Sequence, residues 1–257
     1  MPDDTFQTGF LNEPQLRGLR ALVTGSSSGI GAEIARQLAA AGAQVVVHGH
    51  QNAEAAKALA QSIQGETLLF DLADVQQRND LVSSAWQLAP IDIWVNNAGA
   101  DVLTGDASAW PFDKKLEQLW KVDVTATVQL SRQIGSRMKQ RGQGVILNMG
   151  WDQVETGMAG ESGEMFAATK GAIMAFSRSL AKSLAPQVRV NCLAPGWIKT
   201  AWGNNTSEYW QERAVRESML ERWGTPHDVA QAACFLASPQ ASFITGQIFC
   251  VNGGMQR

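Results

Sequence analysis

Tyrosine is almost missing from this chain: Tyr209 is the one example in 257 residues. A phenolic group able to give or take a proton is therefore confined to a single position. Cysteine is scarce too, and Cys192, Cys234 and Cys250 lie far apart in VRVNCLAPG, QAACFLA and QIFCVNGG. That spacing suits neither a metal site nor a disulfide framework, and all three are expected to be reduced thiols in the apolar core of a cytoplasmic protein. The three histidines are equally dispersed, so no metal is expected. Basic charge falls short of acidic, with 21 Lys and Arg against 24 Asp and Glu. A net charge of −3 and a pI near 5.7 argue against nucleic acid or an anionic membrane as partner, since both need a basic surface. No apolar run reaches the length of a membrane span. The opening MPDDTFQTGFLNEPQLRG has neither the basic nor the apolar region of a signal peptide, and Pro2 and Pro14 interrupt it. A flexible arm over 1–18 is expected, with one folded unit over 19–257.

What the chain does contain is a repeated alternation of short apolar runs with longer helical patterns. RALVTG, AQVVVHG, ETLLFD, IDIWVNNAG, GVILNMG, VRVNCLAPG and GQIFCVNGG read as strands. Helical stretches lie between them, including one region from about Phe112 to Arg141 and another from Met165 to Ala185. This alternation predicts βαβ units, hence an α/β fold with a doubly wound parallel sheet of about seven strands and helices on both faces. No internal repeat or linker divides it.

The first strand leads into VTGSSSGIGAEIA. Gly25, Gly29 and Gly31 stand where a tight turn must let a phosphate approach the backbone, and the helix that follows aims its free amides and positive dipole end at that phosphate. A glycine-rich turn is weak evidence alone. Between a first strand and a first helix it points to a dinucleotide.

Four further stretches extend the pattern: DLAD with Asp71 and Leu72, NNAG with Asn97, Ala98 and Gly99, PGWIKT from Pro195 to Thr200, and ITGQIFCVNGG. Together they resemble the short-chain dehydrogenase/reductase family from about Leu19 to Gly254. The resemblance implies a Rossmann-type fold and a nicotinamide cofactor bound by Gly25, Ser27, Ser28, Gly29, Ile30, Gly31, Asp71, Leu72, Asn97, Ala98, Gly99, Lys170, Pro195, Gly196, Ile198 and Thr200. The second strand ends in VVVHGHQN without the carboxylate that selects NAD, and His50 falls where NADP-preferring relatives carry arginine. Charge complementarity therefore favours NADP(H) over NAD(H).

At the positions where the family keeps its proton chemistry, the chain departs from pattern. Lys170 is present in MFAATKGA, but Phe166 occupies the tyrosine position, Trp151 the serine position and Asp123 the asparagine position. A positioned acid or base contributes ~10²–10⁴-fold to rate, so its loss needs a substitute. Candidates are Asp123, which can act itself or pair with Lys170, and the loop acids Asp152, Glu155, Glu161 and Glu164. A carboxyl in an apolar pocket beside Trp151 would have a raised pKa. For each loop acid a solvated turn is the competing explanation, and for Tyr209, in the expected lid over 197–223, simple packing is. Trp151, Trp197, Trp202, Trp210 and Trp223 fall where they would border the cleft and suit a flat or apolar small-molecule substrate. Trp110 and Trp120 fall near helices that relatives use for pairing, and the resemblance implies a homodimer or homotetramer. The function expected is NAD(P)(H)-dependent reduction of a carbonyl or activated double bond with a non-standard proton donor. The alternative is a catalytically impaired relative that binds the nucleotide as a sensor or partner subunit.

Overall fold

The inner strands are apolar because each is covered on both faces, whereas the two edge strands are partly exposed. The computed structural model describes residues 15–255, with β1 Arg20–Val23, β2 Gln44–Gly49, β3 Glu66–Leu69, β4 Ile93–Asn96, β5 Gly144–Met149, β6 Val188–Pro195 and β7 Ile248–Val251. They form one sheet in the order β3-β2-β1-β4-β5-β6-β7, with every neighbouring pair parallel. Helices α1 (Gly29–Ala40), α2 (Ala53–Ser62) and α3 (Val75–Leu88) follow the first three strands. Then come α4 (Phe112–Leu119), α5 (Ala126–Arg141), α6 (Glu161–Leu184), α7 (Ala201–Asn205), α8 (Glu208–Glu217) and α9 (Pro226–Ala237).

Successive strand residues feed opposite cores, as the pleat requires. Val23, Val45, Val95 and Leu147 pack with Ile34 and Leu38 of α1 and Val229 and Leu236 of α9. On the other face, Leu22, Trp94 and Ile146 meet Leu81 of α3, Ile134 of α5 and Leu180 of α6. The chain winds outward from β1 to β3 and then crosses back to β4. The reversal opens a crevice above the carboxyl ends of β1 and β4, where ligands sit in folds of this kind.

Several local expectations change. Residues 1–14 of the expected arm lie outside the described residues, and 15–18 form a turn rather than a loose arm. Leu16 is fully buried and its N–H donates to the Ala41 carbonyl at 2.8 Å. The helical region after Phe112 is interrupted by a π-helical turn over Trp120–Thr125, which rotates Asp123 inward. Helix α6 begins at Glu161, ahead of Met165, after Gly160 turns the chain at φ 96°. Cys192 is buried and Cys234 partly so, but Cys250 is exposed, because the face of β7 that carries it opens onto a surface groove. Among the described residues no helix is long and apolar enough to cross a membrane.

Candidate functional site

The turn after β1 is held shut by the end of β4. Thr24 Oγ1 accepts from the N–H groups of Asn97 at 2.9 Å and Ala98 at 3.0 Å, and the Asn97 amide donates back to the Thr24 and Gly25 carbonyls at 3.0 and 3.1 Å. Gly25, at φ +62°, packs so closely that a Cβ would lie 2.7 Å from Ala98 Cα. A Cβ on Gly31 would collide with the Asn97 side chain and the Gly25 carbonyl. The glycines are thus required by space. Ser28 precedes α1 in extended conformation and makes no side-chain cap bond. The first-turn N–H groups of α1, which have no intrahelical acceptors, stay available to an anion. A phosphate fits this cradle on the geometry of the backbone alone.

Two cavities meet at Asn97. The larger, about 840 Å³, is lined by Gly25, Ser27, Ser28, His50, Asp71, Leu72, Ala98 and Gly99. The other, about 460 Å³, is lined by Ile30, Trp151, Phe166, Lys170, Pro195, Gly196, Ile198 and Thr200. The residues singled out in sequence therefore follow one groove across the carboxyl edge of the sheet, with Gly29 and Gly31 shaping the turn behind it. His50 is exposed, its Nδ1 3.8 Å from Asp71 Oδ1. The nearest carboxylate at that end comes from the segment after β3, not from β2.

Lys170 points its ammonium at Asp123, Nζ to Oδ2 at 2.8 Å. Asp123 is buried, and its other oxygen accepts from the Ala100 N–H at 2.8 Å. The carboxylate stands behind the groove wall, and a Cβ on Gly99 would lie 3.0 Å from Oδ2. Of the two alternatives for Asp123, the structure has the pairing. The Trp151 and Phe166 rings meet edge to face at 6.3 Å, so carbon surface fills the two positions at which the sequence resemblance implies hydroxyls.

None of the loop acids lines the smaller cavity. Asp152 lies behind Gly196, accepting from Asn252 Nδ2 at 3.1 Å, and burial pushes its pKa up to about 6. Glu155 stands at the surface 3.7 Å from Arg178, while Glu161 and Glu164 occupy the first turn of α6. Tyr209 is exposed, its ring edge-on to Trp210. The smaller cavity consequently has one titratable side chain among the described residues, Lys170.

Four indoles, Trp197, Trp202, Trp210 and Trp223, form the lid side, with ring centroids 5.5–6.4 Å apart. Trp197, Trp202 and Trp210 line the cavity, whereas Trp223 is buried behind them. Trp197 Nε1 donates to Glu217 at 2.8 Å and Trp223 Nε1 to the Gln211 carbonyl at 3.2 Å. Arg213 clasps Glu217 at 2.7 Å and lies 5.1 Å over the Trp210 ring. Two indole N–H groups are thus spent inside the protein.

Ser162 and His48 are polar groove residues that sequence reasoning did not single out. Ser162 lines the small cavity. Its spacing of four and eight from Phe166 and Lys170 places it on the same helix face and offered a signal. His48 lies within β2, buried, and its signal was a lone polar residue inside VVVHG.

A family model described as Enoyl-(Acyl carrier protein) reductase matches residues 25–256. The chain is 36% identical over 248 residues to Nodulation protein G of Rhizobium sp. (strain N33), covering 94% of this chain and 98% of that one. It is 35% identical over 246 residues to the 3-oxoacyl-[acyl-carrier-protein] reductase FabG of Rickettsia prowazekii (strain Madrid E), covering 93% and 98%. Among solved structures, a 3-oxoacyl (acyl-carrier-protein) reductase from Agrobacterium tumefaciens C58 with NADP bound superimposes with a TM-score of 0.85 at 33% identity, over 97% of this chain and 99% of that one. Fold, groove and similarity over nearly the whole length agree, and the chain belongs to the short-chain dehydrogenase/reductase family of NAD(P)-dependent oxidoreductases.

Proposed function

We propose that this protein is an NADP(H)-dependent reductase of a flat, apolar carbonyl compound or conjugated double bond, with Lys170 in place of the missing phenol as proton donor. One observation carries the reading. The cavity beside the glycine-rich turn is walled by Trp151, Phe166, Trp197, Trp202 and Trp210, and Lys170 is its one titratable group among the described residues.

A nicotinamide bound in the groove supplies the hydride. The turn at Gly25–Gly31 and the first amides of α1 receive its phosphates, and Asn97 joins the two halves of the groove. Asp123 fixes the ammonium through a 2.8 Å contact, while the Ala100 amide keeps the carboxylate from turning away. Lys170 Nζ gives its proton to the substrate oxygen, and solvent restores it. The aromatic walls exclude water and hold the substrate face by dispersion and stacking. Because Trp197 has committed its N–H group to Glu217, that ring of the cavity wall selects against a substrate rich in hydroxyls. NADP(H) is favoured because β2 ends without a carboxylate and His50 stands at the adenosine end. The similar reductase with NADP bound supports the same choice.

The test begins with quenching of tryptophan emission by NADPH and NADH, with tighter binding expected for NADPH. Nucleotide oxidation is then followed with uncharged aromatic and alicyclic ketones and enones. Lys170→Met should keep a measurable nucleotide complex and lose about 100-fold or more in rate. Full activity in that variant would remove Lys170 from the chemistry, and absence of quenching by either nucleotide would defeat the proposal as a whole.

The impaired-enzyme reading has an observation of its own: the ammonium is already neutralised by a buried carboxylate, with no hydroxyl at the two usual positions. It expects nucleotide binding without turnover across the panel, and weak carbonyl reduction appearing in Phe166→Tyr.

A further inference from the structure

The imidazole of His48 touches the glycine-rich turn from below, in a position the family resemblance does not assign. Its Nδ1 lies 3.0 Å from the Gly25 amide nitrogen, and its Nε2 lies 3.1 Å from the Phe70 carbonyl oxygen. An amide N–H can only donate and a carbonyl can only accept. The partners therefore fix the ring as the neutral tautomer with its hydrogen on Nε2. The backbone adds two bonds, since the His48 N–H donates to Ser26 Oγ at 3.0 Å and its carbonyl accepts from the Ser26 N–H at 2.9 Å. Gly25 is left-handed at φ +62° and sits against Ala98, so its conformation needs holding. Phe70 leads directly into Asp71 and Leu72, which line the far part of the groove. One ring thus ties the phosphate-side turn to the opposite wall. Burial favours the neutral form and pushes its pKa down to about 4.

We propose that His48 is a positioning residue for the nucleotide: a single-tautomer bridge that sets the spacing between the Gly25 turn and the Phe70–Leu72 wall, and thereby nucleotide affinity. The inference rests on the reading of this groove as a nucleotide site. It expects His48→Leu, which is similar in bulk but strands the Gly25 N–H and the Phe70 carbonyl, to weaken NADPH binding at least tenfold. His48→Asn places an acceptor near the Gly25 amide and is expected to stay within about threefold of the parent while losing the Phe70 contact.

Binding is measured on the full chain by quenching of tryptophan emission, with melting temperatures recorded alongside. A fold-only role would lower the melting temperature of both variants without separating their affinities. Long-range ¹H–¹⁵N correlation on histidine-labelled protein near neutral pH reads the tautomer directly and needs no variant to fold. Hydrogen on Nε2 alone, with a weaker leucine variant and asparagine rescue, supports the bridge. A ring protonated on Nδ1, or leucine and asparagine variants that both bind NADPH like the parent, overturns it. Parent protein that binds neither nucleotide removes the functional reading and this inference together, whereas parent binding matched by His48→Leu removes this inference alone.

Discussion

At Asp152, burial works against ionisation. The side chain accepts one bond from Asn252, its Oδ1 has no partner, and its pKa rises to about 6. A carboxyl whose folded pKa exceeds its unfolded value near 4 stabilises the fold while protonated, and that stability drains away as pH rises from about 4 to about 6. Asp152→Asn keeps an acceptor and removes the charge. Its melting temperature should match the parent near pH 4 and exceed it above pH 6, by an amount corresponding to about 1–3 kcal/mol. An equal shift at both pH values would show that the charge is not the cause. Lys170 and Asp123 face each other as an ion pair. Asp123 is buried and Lys170 partly so, 2.8 Å apart, so Asp123→Ala, which leaves the ammonium without a side-chain acceptor, should cost more stability than Asp123→Asn, by ~2 kcal/mol or more in denaturant titration. Equal midpoints would deny the pair a structural role. The sequence placed both residues near the cleft, but their orientation depended on the π-helical turn, which no local pattern announced.

Among the elements, α9 shows how completely a helix start is written in sequence. Thr225 accepts from the Asp228 N–H, Asp228 accepts from the Thr225 N–H, and Pro226 takes the first position, where its missing donor does no harm. The Arg222 fork grips both Asp228 oxygens at 2.9 Å and holds that carboxyl well below the usual range. Thr225→Ala is expected to cost about 1 kcal/mol, or roughly 2–4 °C in melting temperature for a chain of this size. Because the folded pKa of Asp228 is depressed, its contribution is present above pH 4 and lost as pH falls below. The gap between the parent and Asp228→Asn should therefore close in acid, and a gap that persists there would refute the assignment. Helix α1 carries no such side-chain cap at Ser28, the pattern expected where the amides are reserved for a ligand. Gly31→Ala, which drives a methyl into Asn97 and the Gly25 carbonyl, should abolish nucleotide quenching, and retained affinity would show the turn to be more yielding than its packing suggests.

Across the whole molecule, the uncovered flank of β7 continues into an apolar surface. Met219 and Leu220 are 64% and 63% exposed, Phe249 is 38% exposed, and a groove of about 510 Å³ runs between that segment and Cys250–Val251. The homodimer or homotetramer expected from the sequence would cover such an apolar patch with a second copy of the chain. Light scattering should report a dimer or tetramer, and Leu220→Glu should at least halve the mass. An unchanged mass would place the contact elsewhere, with the α4–α5 face around the exposed Trp120 as the next surface to test.

The sequence by itself determined the parallel α/β architecture, the glycine turn and the line of groove residues. Those depend on period, on steric room and on short-range order along the chain. The expectation that hydroxyls are missing from the proton-handling positions also comes from sequence, since Phe166 at the implied tyrosine position needs no coordinates to interpret. Tertiary structure alone decided that Asp123 pairs with Lys170, that Asp152 turns behind the groove, that Tyr209 faces solvent, and that His48 bridges two walls. Except for Tyr209, each of these depends on residues ~20–100 positions apart in the chain coming together, and the direction of a polar side chain there is set by which distant donor or acceptor is left to satisfy it.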